Sequence, residues 1–142
     1  MATFELTTET LNSSIADNDF LVIDFWAEWC GPCRGFAPVF EAASEKHSGL
    51  AFAKCDTEAQ TEVAASFGIR SIPTIAIFRE QILLYLEPGA LPADGLDMLI
   101  DQVQGLDMDE VRRQVAEEEA KGEGEAEEEG EAEDEDEAAS AD

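Results

Sequence analysis

The run "FLVIDFWA" (residues 20–27) constrains the fold more than any other part of the chain. It is apolar at odd and even positions alike, the pattern of a β-strand covered on both faces. Such a strand belongs in a sheet with helices on each side. "LAFAKCD" (50–56) repeats the pattern. Between the two runs, from Cys33 to about His47, Phe36, Val39, Phe40 and Ala43 recur at the i, i+3, i+4, i+7 spacing of a core-facing helix. Pro38 falls inside that helix, removes a backbone donor and predicts a kink.

The flanking segments extend the alternation. "TFELT" (3–7) reads as a weak strand and "TETLNSSIAD" (8–17) as a short helix. "TEVAASFG" (61–68) reads as a helix that Gly68 stops, and "TIAIF" (74–78) with "QILLYLE" (81–87) as a hairpin. "PADGLDMLIDQVQG" (92–105) carries a stripe of Leu96, Leu99, Ile100 and Val103, and "DMDEVRRQVAEEEA" (107–120) opens with an Asp-x-x-Glu capping box. The predicted class is α/β, with a central mixed β-sheet flanked by helices on both faces.

Charge divides the chain unevenly. Residues 117–142 hold 15 acidic residues and one lysine, so they carry −14 of the formal −26. No side chain there is both apolar and larger than alanine, so burial cannot offset the entropy of ordering. About 116 residues are therefore read as folded: a main domain over 1–106 and an added helix over 107–121, followed by a disordered acidic tail over 122–142. A net negative surface disfavours nucleic acid and anionic lipid as partners. No apolar run is long enough to span a bilayer. The N-terminus lacks a basic n-region and an apolar h-region, so three cysteines here predict a reducing, cytoplasmic setting.

The cysteine pair Cys30 and Cys33 sits where the first buried strand gives way to a helix, the sheet edge at which sites are built. Pro32 suits a first helical position. Residues three apart share a helical face, so the two sulfurs can meet. Unpaired N–H groups and the dipole favour a thiolate at Cys30. Cys30 is thus the expected nucleophile and Cys33 the residue that resolves the mixed disulfide. A zinc site built from Cys30, Cys33, His47 and Cys55 is the competing reading. His47 lies a helix length away, about 20 Å, and Cys55 reads as core filling, so zinc is set aside.

Asp24 interrupts the apolar strand. An isolated buried carboxylate is costly, so it must stay protonated more readily or find a cation. Either a backbone hydrogen bond ties it up, or it accepts the proton of Cys33; the second reading is preferred. Lys54, inside the other apolar strand, is a candidate partner, though a position in water at the strand end suits it equally. For Pro73 in "RSIPT" the sequence gives no licence for a cis bond.

"VIDFWAEWCGPC", the proline-interrupted helix, "FAKCDTE", "FGIRSIPT" and "EPGAL" together resemble thioredoxin, over about residues 3–105. The resemblance implies a bacterial-type domain over 1–106 with a Trp-Cys-Gly-Pro-Cys centre, to which the added helix and tail are extras. It implies a protein-disulfide reductase whose Cys30–Cys33 disulfide is redox-active, with Cys30 exposed, Cys33 buried and Asp24 as proton shuttle. Lys54 and cis-Pro73 would support them, and Trp29, Gly31, Pro32, Ile72, Pro73, Gly89 and Ala90 would form the substrate groove. No bound cofactor or metal is implied. Electrons would come from an NADPH-dependent thioredoxin reductase, substrates would be oxidised proteins, and the chain would be monomeric. An adaptor that holds a basic partner with its acidic tail is the alternative. Glu80-Gln81 stands where the family usually has Asn-Gly, which predicts a different hairpin turn, and Pro88 precedes the groove glycine.

Overall fold

The computed structural model describes residues 2–122 and contains a compact unit that ends at Gln104. Its elements are β1 (Thr3–Glu5), α1 (Leu11–Asp17), β2 (Phe20–Trp26), α2 (Gly31–Lys46), β3 (Ala51–Asp56), α3 (Thr61–Ser66), β4 (Thr74–Arg79), β5 (Ile82–Pro88) and α4 (Ala93–Gln104). The order is the predicted one, with ends that shift by a few residues in either direction. The sheet runs β1-β3-β2-β4-β5. β1, β3 and β2 are parallel, and β4 and β5 are antiparallel to their neighbours, so the sheet is mixed.

β2 lies at the centre, and its alternation sorts the core. Phe20 and Val22 face one side, with Phe36 and Phe40 of α2 and Leu96, Ile100 and Val103 of α4. Leu21, Ile23 and Phe25 face the other, with Val63 of α3 and Leu11 and Ile15 of α1. Both faces are therefore dry, as the two-parity pattern required. Asp24 belongs to the α2 side and is fully buried. So does Lys54, its register partner on β3.

α2 starts earlier than its apolar stripe. Cys30 is the N-cap, so Gly31 is the first helical residue and Pro32 the second rather than the first. A proline is tolerated there too, because none of the first N–H groups has an intrahelical acceptor. At the other end Lys46 and His47 both bond Asp97 of α4, at 2.6 and 3.0 Å. That clamp depresses the Asp97 carboxyl below its usual range, chiefly through the Lys46 bond. Arg79 closes α4 by donating to the carbonyls of Val103 and Gln104, both at 2.9 Å.

The hairpin turn corrects the sequence expectation. Glu80 and Gln81 both have positive φ, 52° and 66°, the handedness that Asn-Gly ordinarily supplies. The strand twist demands that hand, and the two ordinary residues adopt it at a cost of about 1–2 kcal/mol each.

A second unit begins at Gly105. It contains a helix, α5, over 108–122. Asp107 Oδ1 caps it, accepting from the N–H groups of Asp109 and Glu110 at 3.1 and 3.3 Å. The Glu110 carboxylate pairs with Arg113. Met108 is buried. Residues 117–122 of the acidic segment expected to lack structure are helical, which corrects the expectation there, and the rest of it lies outside the described residues.

Candidate active site

β2 ends at Trp26, and the chain turns through Ala27–Trp29 into α2. The Cys30 N–H donates to the Ala27 carbonyl at 3.2 Å, which fixes that turn. Cys30 has an extended N-cap backbone, φ −84° and ψ 110°, and its Sγ accepts the Cys33 N–H at 3.2 Å. Cys30 and Cys33 are joined as a disulfide with Cα atoms 5.2 Å apart. An N–H group aimed at Cys30 Sγ and the positive end of a helix are surroundings that favour negative charge.

Accessibility separates the two cysteines less than the resemblance implied. Cys30 is 4% exposed and Cys33 3%, so Cys30 is not exposed in this oxidised form. The reason is local. Trp26 and Ile72 pack against the pair together with Ala27. What distinguishes Cys30 is the Ile72 carbonyl oxygen, 3.6 Å from its Sγ. The Ile72–Pro73 bond is cis. The Gly89 N–H donates to the Pro73 carbonyl at 2.9 Å, so the two loops implied for the groove lie side by side. Gly89 has φ 131°, a conformation that favours glycine. Trp29 is 66% exposed.

Asp24 lies in β2, three residues before the strand gives way to the turn that leads to the pair, and on the face that α2 covers. Phe36 packs with Val22, and α2 runs against the direction of β2 as a crossover helix must. One helical turn back from Phe36 is Cys33, and two residues on from Val22 is Asp24, so the two come to the same level. Both Asp24 oxygens are buried and find no hydrogen-bond donor among the described residues. The backbone-bonded alternative for this carboxylate is thereby removed. Burial pushes its pKa up to about 7, against a smaller downward pull from Lys54. Lys54 is half-buried, with Nζ 5.1 Å from the centroid of the Trp26 ring. Lys54 thus follows the first sequence alternative rather than the second: it lies within β3, half-buried, with its head over an indole, and its field reaches Asp24.

The third cysteine stands apart. Cys55 is fully buried on the opposite sheet face, and burial, aided by Asp56, raises its thiol pKa to about 11. His47 is engaged by Asp97. No group of three His, Cys, Asp or Glu among the described residues could hold a metal ion. The zinc combination does not converge: Cys30 and Cys33 start α2, His47 caps its far end beside Asp97, and Cys55 lies in β3 on the opposite sheet face.

Sequence reasoning missed Glu58. Its Oε1 accepts the Trp29 indole N–H at 2.8 Å. The loop holding it is tied down: Asp56 Oδ1 accepts from the Glu58 and Ala59 N–H groups at 2.9 and 3.4 Å. The Thr57 N–H and hydroxyl both donate to the Trp26 carbonyl, at 2.9 and 3.0 Å. "DTE" after a buried strand carried a legible signal, since aspartate at such a place commonly bonds the backbone two residues on.

A cysteine pair at a helix start on a mixed sheet, with a carboxylate buried in the strand that leads to it, defines a thiol–disulfide oxidoreductase. The thioredoxin family model matches residues 2–102. A Streptomyces coelicolor protein carrying the name thioredoxin 2 is 54% identical over 120 residues, 84% of this chain and 90% of its own. Thioredoxin 1 of Nostoc is 35% identical over 103 residues, 71% of this chain and 96% of its own. A solved Plasmodium falciparum thioredoxin superposes with a TM-score of 0.65 at 30% identity, covering 70% of this chain and 97% of that one. The chain therefore belongs to the thioredoxin family and is a protein-disulfide reductase. Thioredoxins need no bound cofactor, and in general they act on disulfide substrates and work with a reductase. Among the described residues no helix is long and apolar enough to cross a membrane. A match over 84% of 142 residues ends no earlier than about residue 119, so the Streptomyces relative shares most of α5.

Proposed function

We propose that Cys30 is the attacking residue, Cys33 the resolving one and Asp24 the proton acceptor that serves Cys33. In the reduced protein the Cys30 thiolate attacks one sulfur of a substrate disulfide. The substrate S–S bond breaks, and the departing thiolate takes a proton from solvent. Cys33 then gives its proton to the Asp24 carboxylate and attacks Cys30 Sγ. This releases the second substrate thiolate, which is protonated in turn, and leaves the Cys30–Cys33 disulfide. Two electrons have passed from the pair to the substrate. The observation that carries this reading is the Cys33 N–H donating to Cys30 Sγ at the start of α2.

Trp29, Gly31, Pro32, Ile72, Pro73, Gly89 and Ala90 form the substrate groove, and an extended segment pairs with the backbone around Ile72. Lys54 keeps Asp24 partly ionised near neutral pH. An NADPH-dependent thioredoxin reductase returns the electrons. The chain works as a cytoplasmic monomer, apart from nucleic acid and membranes, with its main domain over 1–106, the added helix over 107–121 and the acidic tail over 122–142. The test is reduction of insulin disulfides by the full chain with dithiothreitol, then with NADPH and a thioredoxin reductase. Turnover in both supports the scheme; failure with dithiothreitol removes the roles given to the cysteines.

A further inference from the structure

We infer that Trp29 and Glu58 form a subsite that favours substrates carrying lysine or arginine next to the reacting cysteine. The inference rests on the reading of Cys30 as the residue that attacks. Trp29 immediately precedes Cys30, so its Cα lies about 3.8 Å from that of the attacking residue. Any segment that presents a sulfur to Cys30 must set a neighbouring side chain beside this indole. Trp29 is 66% exposed although its indole N–H is bonded. Much of the side chain is thus open to a substrate, and the Glu58 carboxylate fixes the indole edge at 2.8 Å.

An exposed indole face with an acid on its rim is a receptor for a cation. The face attracts an ammonium or guanidinium through the ring quadrupole, and the carboxylate adds an ion pair from the side. Glu58 is itself exposed, so substrate can reach its second oxygen. Its position is not left to a flexible side chain alone, because Asp56 and Thr57 hold the loop backbone on both sides of it. Arg34, the neighbouring cation in the first turn of α2, is engaged by the Glu28 carbonyl at 3.2 Å. An acidic neighbour in the substrate meets Glu58 with a like charge, which widens the discrimination.

The test uses the full chain and two peptides, each closed by one disulfide and differing only in Arg or Glu beside the target cysteine. At low ionic strength kcat/KM favours the Arg peptide by about fivefold. Glu58→Gln keeps an acceptor for the indole and removes the charge, so the ratio falls to about two, and added salt narrows the wild-type ratio in the same direction. Trp29→Leu, which takes away the face, also lowers it. Asp101→Asn, an exposed α4 change near Lys46 at the far end of α2 from Cys30, keeps the full ratio. An unchanged ratio in Glu58→Gln overturns the subsite, and so does an equal loss in Asp101→Asn, because the preference then belongs to overall charge. If wild type reduces both peptides equally, only the subsite falls. If it reduces neither, the role given to Cys30 falls and the subsite with it.

Discussion

Cys30 and Cys55 are both almost fully covered, at 4% and 0% exposure, yet the fold gives them opposite chemistry. Cys30 caps a helix and receives a backbone N–H on its sulfur. Cys55 sits mid-sheet among Ile23, Phe25 and Val63, beside an aspartate, with its thiol pKa pushed up to about 11. Burial alone therefore says little about reactivity. The sign of the local potential decides: donors and a positive helix end at one sulfur, apolar walls and a carboxylate at the other.

The comparison breaks most visibly at the pair itself. Cys30→Ser is expected to abolish insulin reduction, and residual turnover carried by Cys33 would show that the helix start does not select the attacking thiol. Cys33→Ser should leave the first step intact and trap the substrate as a mixed disulfide, which intact-mass spectrometry detects. Release of free substrate at the wild-type rate would remove the resolving role.

Asp24→Asn is expected to slow turnover at pH 7 by on the order of ten- to a hundredfold, through loss of the proton acceptor. The same change should stabilise the protein. The Asp24 pKa rises from 3.8 to about 7 on folding, so the native state binds the proton more tightly than the unfolded chain. Between about pH 4 and 7 wild-type stability then falls as pH rises. Below pH 4 the penalty is absent, and above pH 7 it is complete at roughly 4 kcal/mol. Urea melts across that range should show the Asn variant ahead at pH 8 and level with wild type near pH 4. A constant difference at all pH values would mean that the carboxylate does not titrate as its burial demands.

At the smallest scale, Cys55→Ala should cost about 1 kcal/mol for the small cavity and leave turnover unchanged. In the reduced native protein iodoacetamide should label Cys30 quickly and Cys55 only on unfolding. Comparable native labelling rates would erase the contrast between the two thiols.

Much of this site was legible in the residues. "FLVIDFWA" forecast a strand dry on both faces, and the isolated aspartate within it stood out because no wet side was available. The cysteines declared a helix start through their spacing and Pro32. What stayed hidden depends on elements that meet only in three dimensions. Glu58 reaches Trp29 from 29 positions away, and nothing local announces the contact. The Glu80-Gln81 turn misled for a different reason: intrinsic preference argued against positive φ, and the twist of β4 and β5 overrode it. Cys30 looked exposed by resemblance because neither residue spacing nor motif registers that Ile72, 42 positions on, packs against the pair.

Asp24 carries one further consequence. Reducing the pair places a thiolate over the same sheet face, and that charge tightens the hold of the carboxyl on its proton. Linkage is reciprocal: if electrons change proton affinity, protons change electron affinity by the same free energy. Acidification through neutrality should therefore favour the dithiol beyond what exchange stoichiometry alone requires, and alkalinity the disulfide. One unpaired carboxylate in an apolar strand makes the strength of this protein as an electron donor a reading of ambient acidity.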